Sequence, residues 1–317
     1  MTPENISDRE SKFALKLVDS NAKQFTAGDA IDIGGGFSIT PLTTNISSYY
    51  YKTPTTKTQI CLHFTVGMIQ SDIATLTRAN NHMSVQYVVD RLGHIYRLFP
   101  DEFWSYHLGA SAVGGNAAMS KQSIGIEISN YGPLKLNGAK YEDVYGSTYT
   151  TDDSLVDKVS FRGYDYYAKM SERQKEAVAR LAVYISKKHG IPLDFKEFLS
   201  EPFKSKEDAL AFRGIFCHCH VRSDKYDLPP EQAMQIKDAI AAVTSPVAEP
   251  AQEPVQEPEK EPDKEPEKEP EKETEKEAEP QQAPSVESRP EPVRQVEPPA
   301  RLPWWQRLLE ILRDAFR

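Results

Sequence analysis

The chain has 317 residues, 47 of them acidic and 38 basic, for a formal net charge of -9. The stretch 249–299 alone holds 17 acidic and 7 basic residues with 12 of the 23 prolines, so the remainder is close to neutral. No basic block exists to neutralise phosphates, which excludes strong nucleic-acid binding; three cysteines are too few for a disulfide-stapled scaffold, and no uninterrupted apolar run approaches the ~18 residues of a membrane span.

Residues 1–44 read as an N-terminal extension. They contain no apolar run of signal-peptide length, so the expectation is synthesis in the cytoplasm and release to the site of action by another route. Residues 45–245 have mixed composition with aromatics throughout, enough for one core. Gln59–Phe64 is a short apolar run, the pattern of a buried strand, and it carries His63. Ser71–Asn81 is helix-like. Ser84–Asp90 is rich in β-formers and turns through Arg91-Leu92-Gly93-His94 into Ile95–Leu98, the pattern of a hairpin. Ser123–Ile128 reads as another strand. Ser171-x-x-Gln174 is a capping pattern for a helix to His189, with Gly190 and Pro192 as stop signals. Gly214–His218 reads as a strand leading into a charged loop, and Glu231–Val243 as the closing helix. The alternation predicts an α/β fold, a mixed central β-sheet flanked by helices.

Residues 246–300 repeat EPEK, EPDK, EPEK, EPEK, ETEK. Proline at every fourth position prevents a regular helix and the glutamate excess opposes collapse, so a disordered linker is expected. Residues 301–317 form a candidate amphipathic helix: Trp305, Leu308, Leu309, Leu312 and Phe316 share one stripe. Tryptophans beside arginines suit a membrane or envelope surface, with docking on the domain at 45–245 or on a protein partner as the other possibilities.

Four ionisable groups fall at predicted strand ends or just beyond: His63, Glu127, His218 and Asp227. A catalytic zinc takes three protein ligands from histidine and carboxylate and leaves one position open, and His63, His218 and Asp227 supply that set. If the strand continues past His218, His220 points to the same side and is an alternative ligand. A structural zinc held by Cys217, Cys219 and the intervening histidines is the chemical rival.

Five segments in order carry a family resemblance over residues 45–243: Ile60–Gly67, Ser84–Tyr96, Trp104–Gly109, Ser123–Ile128 and His218–Asp227. They resemble the motifs of type 2 N-acetylmuramoyl-L-alanine amidases, relatives of the peptidoglycan recognition proteins and phage endolysins. The resemblance implies zinc on His63, His218 and Asp227, with Glu127 working on the zinc-bound water. It also implies that Lys225 faces the substrate carbonyl and that His107 either contacts substrate or orders the pocket rim. The implied activity is hydrolysis of the amide between the lactyl group of N-acetylmuramic acid and L-alanine in peptidoglycan; with no signal-peptide run, a phage or prophage endolysin is the expected setting. The alternative is a peptidoglycan-binding module of the same fold without catalysis. Two positions depart from the family pattern: Gln86 stands where a histidine is frequent, and the last loop reads Asp227-Leu228-Pro229-Pro230 without the usual Pro-Gly.

Overall fold

The computed structural model describes residues 3–18, 25–197 and 200–245; the expected linker and C-terminal helix lie outside the described residues. The helices are α1 (Pro3–Val18), α2 (Ile69–Leu76), α3 (Asn116–Gln122), α4 (Glu172–His189), α5 (Lys206–Ala211) and α6 (Pro230–Thr244). The strands are β1 (Thr26–Ala27), β2 (Ile31–Gly34), β3 (Phe37–Thr43), β4 (Gln59–Phe64), β5 (Tyr87–Val89), β6 (Ile95–Arg97), β7 (Ser123–Ile128), β8 (Pro133–Asn137), β9 (Lys140–Glu142), β10 (Thr148–Thr150), β11 (Val156–Phe161), β12 (Tyr164–Ala168) and β13 (Gly214–Cys217).

Eight of these strands form a mixed sheet in the order β1-β3-β6-β5-β7-β4-β13, with β2 also on β3. Its centre is parallel: β5 and β4 flank β7, and β13 lies along β4. Residues 26–43, expected in an extension, are therefore part of the sheet, and β3 runs parallel to β6 with Ile39 opposite Ile95. Strand alternation sorts the side chains onto two faces. Ile60, Leu62 and Phe64 of β4, Ile124, Ile126 and Ile128 of β7, and Ile215 and Cys217 of β13 enter one apolar cluster. The same cluster takes Ala177, Val178, Leu181 and Ile185 of α4 and Ala233, Ile236 and Ile240 of α6. On the other face Cys61 and Phe216 pack with Leu108, Met119 and Ala209. Helices thus cover both faces, as the parallel centre requires. No helix among the described residues is long and apolar enough to cross a membrane.

The expected helix caps form. Ser171 accepts from the N–H of Gln174, and Gly190 ends α4 in the left-handed region at φ +65°. The Gln174 side chain does not return to Ser171; it donates to the carbonyls of Val89 and Ser129 and ties α4 to the ends of β5 and β7. The helix expected over 71–81 starts earlier and ends at Leu76. There the Thr77 hydroxyl bonds the Ile73 carbonyl, and Asn80 adopts φ +59°.

A second sheet, β10-β9-β8-β12-β11, is inserted between β7 and α4. It has its own apolar cluster of Tyr131, Leu134, Tyr141, Tyr149 and Val156, joined by Ile6 of α1. Strands β11 and β12 meet at a two-residue turn, Arg162 (φ +48°) and Gly163 (φ +85°), the geometry that follows the natural twist of a hairpin.

Candidate metal centre

His63 and Glu127 are register partners on parallel β4 and β7, so their side chains leave the same face side by side. That face lies opposite the apolar one, near the carboxyl ends of the strands, where open α/β sheets place their ligands. His218 follows the last residue of β13, itself paired to Leu62 of β4. Asp227 arrives from the next loop, held where the Cys219 N–H donates to the Asp227 carbonyl at 2.9 Å.

Three atoms converge. His63 Nδ1 lies 3.0 Å from His218 Nδ1, and Asp227 Oδ2 lies 3.1 Å from His218 Nδ1 and 3.4 Å from His63 Nδ1. The surrounding hydrogen bonds decide which nitrogens carry protons. The Ser123 hydroxyl donates to the Met119 carbonyl at 2.7 Å and therefore accepts from His107 Nε2 at 2.9 Å. A neutral His107 then offers only a lone pair at Nδ1, which accepts from His63 Nε2–H at 2.9 Å. His218 Nε2–H donates to the Leu108 carbonyl at 3.1 Å. Both Nδ1 atoms consequently present lone pairs to each other and to a carboxylate oxygen. Three acceptors so close repel unless a cation sits among them. Their spacing matches the ~3.3 Å edge of a tetrahedron built on bonds of about 2.0–2.1 Å, the arrangement of zinc. The donor set therefore fits the expected metal.

Electrostatics agree with this reading. Burial, with His218 beside it, lowers the His63 pKa to about 4, so the imidazole is neutral as a ligand must be. His107 is likewise held well below its usual value, first by burial and then by His63. Burial alone would raise Asp227, but positive charge or a proton on the His218 and His63 side holds its carboxyl well below the usual range, the part a bound cation takes over when both Nδ1 atoms present lone pairs. Burial pushes Glu127 well above the carboxylate range, reinforced by Asp227 and Asp72. Its Oε2 is enclosed and has no hydrogen-bond partner among the described residues. Lys225 is lowered by burial against the pull of Asp227, and the fields of Glu127 and Lys225 reach each other.

Of the residues singled out in the sequence, His63, His218 and Asp227 come together, with Glu127 and Lys225 beside them. His107 lies behind His63 rather than at the rim; a side-chain carbon at Gly125 would meet Val85 first, at 2.7 Å, and would also crowd His107 Nδ1 at 3.3 Å. His220 does not join the cluster. Residues 218–220 form a turn of 3₁₀-helix instead of extending β13, so His218 and His220 diverge, and His220 Nδ1 accepts from the Cys217 N–H at 2.9 Å. The Cys217–His220 run therefore does not close around one ion. Cys61, His63 and His107 form the second group of ligand types within reach, but burial raises the Cys61 thiol well above its usual value and keeps it protonated. Gln86, the departure from the family pattern, donates to the Phe103 carbonyl and accepts from the Gly125 N–H, a structural duty. Arg222 is buried and paired bidentately with Asp224, occupying the space that Gly109 leaves open.

Two contributors escaped sequence reasoning. Ser123 reads there only as a strand residue, although a hydroxyl two positions before Gly125 faces the same side. Arg162 lies about 60 residues from the loop it contacts, and no local pattern announces it.

A family model described as N-acetylmuramoyl-L-alanine amidase matches residues 53–232. The N-acetylmuramoyl-L-alanine amidase AmiD of Escherichia coli (strain K12) is 34% identical over 87 residues, 26% of this chain and 32% of that protein. The chain thus matches about a third of that relative's length. Among solved structures, a complex of the E. coli amidase AmiD with anhydro-N-acetylmuramic acid-L-Ala-D-gamma-Glu-L-Lys aligns with 65% of each chain at 21% identity and a TM-score of 0.36. The Staphylococcus aureus hydrolase AmiA, in complex with its ligand, aligns at 18% identity and a TM-score of 0.38, over 64% of this chain and 80% of its own.

Proposed function

Since the chain belongs to the N-acetylmuramoyl-L-alanine amidase family, we propose that it is a zinc-dependent amidase. On this reading it hydrolyses the bond between the lactyl group of N-acetylmuramic acid and L-alanine in peptidoglycan. The observation that carries the reading is the convergence of His63 Nδ1, His218 Nδ1 and Asp227 Oδ2 at 3.0–3.4 Å, with Glu127, whose Oε2 has no hydrogen-bond partner among the described residues, in register beside His63.

His63, His218 and Asp227 would hold the ion. Zinc in such a site polarises an amide carbonyl and makes water acidic enough to attack near neutral pH. The positive charge of an ion held by these ligands would offset the burial that raises Glu127; Glu127, ionised there, accepts the proton of the attacking water and returns it to the leaving amine of L-alanine. Lys225, a fixed cation in a partly dry site, donates to the oxygen on which negative charge develops. His107 and Ser123 keep His63 in the tautomer that directs its Nδ1 lone pair inward, and the Leu108 carbonyl does the same for His218.

Digestion of purified sacculi, followed by mass spectrometry and metal analysis, tests the reading. The expected result is release of peptides with a free N-terminal L-alanine, roughly one zinc per chain, and loss of both metal and activity with a chelator. Cleavage within the glycan or between stem-peptide residues would refute it. We also propose the lytic, endolysin-type setting expected from the sequence. Clearing of a sacculus suspension would support it, whereas action on soluble muropeptides alone would assign the enzyme to fragment turnover.

A further inference from the structure

The second sheet contributes no metal ligand, yet one of its residues reaches the loop that carries Lys225 and Asp227. Arg162, at the tip of the β11–β12 hairpin, donates through Nη2 to the Cys219 carbonyl at 3.0 Å. Through Nη1 it donates to the carbonyl of Arg222 at 2.7 Å and to that of Lys225. The three carbonyls belong to the 3₁₀ turn and the loop after it, and that of Arg222 also accepts from the Lys225 N–H at 3.3 Å, so Arg162 ties together both ends of the loop's own turn. Cys219 is in turn the residue whose N–H holds the Asp227 carbonyl. A neighbouring contact from the same hairpin acts in the same direction: Tyr164 of β12 meets Tyr226 edge-on at 5.5 Å, and Tyr226 lies between Lys225 and Asp227. Arg162 makes these bonds from φ +48°, a conformation that Gly or Asn adopts more readily. Backbone preference therefore does not account for an arginine here, and the planar fork that spans three carbonyls does.

We infer that Arg162 is a positioning residue of the site, by which the inserted sheet holds Lys225 and the Asp227 carboxylate against His63 and Glu127. The inference rests on the metal-amidase reading and assigns the β11–β12 hairpin a role in it. A lysine at 162 keeps the charge but cannot address three carbonyls in the same plane, so it restores part of the effect.

The test uses the full chain with Arg162→Ala, Arg162→Lys and, as a control on the same hairpin, Lys158→Ala, which removes only an exposed pair with Asp153. Zinc affinity is measured by competition with a chromophoric chelator, and ligand geometry from the visible spectrum of the cobalt(II)-substituted protein. Arg162→Ala is expected to weaken zinc about 10–100-fold, the usual scale for groups that orient ligands, and to alter the cobalt spectrum. It should lower kcat more than it raises KM. Arg162→Lys should fall between, and Lys158→Ala should match the wild type. Wild-type zinc affinity and cobalt spectrum in Arg162→Ala would overturn the inference. If Arg162→Ala does not fold, Arg162→Lys decides: an intermediate loss supports the inference and wild-type values overturn it. Zinc affinity and the cobalt spectrum do not depend on substrate. A protein that cleaves no wall amide but loses zinc on Arg162→Ala would refute the activity and leave the positioning role intact.

Discussion

Strand β4 serves two faces of the molecule under different rules. Ile60, Leu62 and Phe64 turn toward α4 and α6 into an apolar layer, while Cys61 and His63 turn the other way. The same division runs through β7, with Ile124, Ile126 and Ile128 on one side and Ser123, Gly125 and Glu127 on the other. On the first face the requirement is volume and apolarity, and many residues share it. On the second, atoms must meet at about 3 Å with defined protons, and single residues carry the outcome. The difference predicts that substitutions on the two faces separate stability from activity.

The largest effect is expected at the ligands. His63→Ala should remove zinc and reduce amide hydrolysis to background, because a three-ligand site does not tolerate the loss of one. Thermal melting of the metal-free proteins should differ little. An inactive variant that has also lost its cooperative melt would erase the distinction between the faces. Glu127→Gln comes next: zinc retained and kcat lowered by ~10²–10⁴, the scale of general acid–base catalysis. Metal analysis beside steady-state kinetics checks both halves, and near-wild-type kcat would move Glu127 to a structural role.

The opposite face should respond in reverse. Ile126 is fully buried among Ile60, Leu62 and the residues of α4. Ile126→Ala should destabilise by about 2–5 kcal/mol, the transfer and cavity cost of a large-to-small core change. The folded fraction should keep kcat within about twofold, since the lost methyl groups point away from the histidines. Denaturant unfolding with activity measured at low temperature would show this. Ser123→Ala sharpens the boundary, being a small change on the chemical face. It removes the acceptor that fixes His107 and should weaken zinc by ~10-fold through the His63 tautomer, with little change in melting. Unchanged zinc affinity would remove Ser123 from the relay.

Much of the chemical face was legible in sequence because the ligands sit at ends of short strands whose apolar runs are easy to read. His63, Glu127 and His218 each follow such a run, and Asp227 lies nine residues past His218. What was hidden is non-local. Nothing near Arg162 signals that it bonds carbonyls some 60 residues away. In the strands at 26–43, β2 alternates only between half-exposed and exposed positions, and Pro41 interrupts β3 after Phe37 and Ile39, so their place beside β6 is not announced by a clean apolar run. His220 is ambiguous in sequence because the chain itself does not reveal where a strand gives way to a 3₁₀ turn.

A last contrast sets the carboxyl of Glu127 against a second buried carboxyl that is not among the metal-ligand cluster. Glu10 of α1 is fully buried, and its Oε2 accepts from the Arg91 N–H at 3.0 Å, at the turn between β5 and β6. Burial, with Asp90 nearby, raises its pKa from 4.5 to about 9. The folded state therefore holds a proton that the unfolded chain releases above pH 4.5. Stability from this group is complete below that pH and is lost as pH rises toward 9, with a slope of at most ~1.4 kcal/mol per pH unit. Glu10→Gln keeps an oxygen for Arg91 and removes the titration, so its stability should be flatter between pH 5 and 9 and higher than that of the wild type at the alkaline end. The metal-site kinetics at pH 7 should be nearly unchanged. Urea unfolding of both proteins across this range gives the two slopes. Parallel curves would mean that the Glu10 carboxyl reaches solvent, and that α1 is a looser attachment than its buried contacts imply.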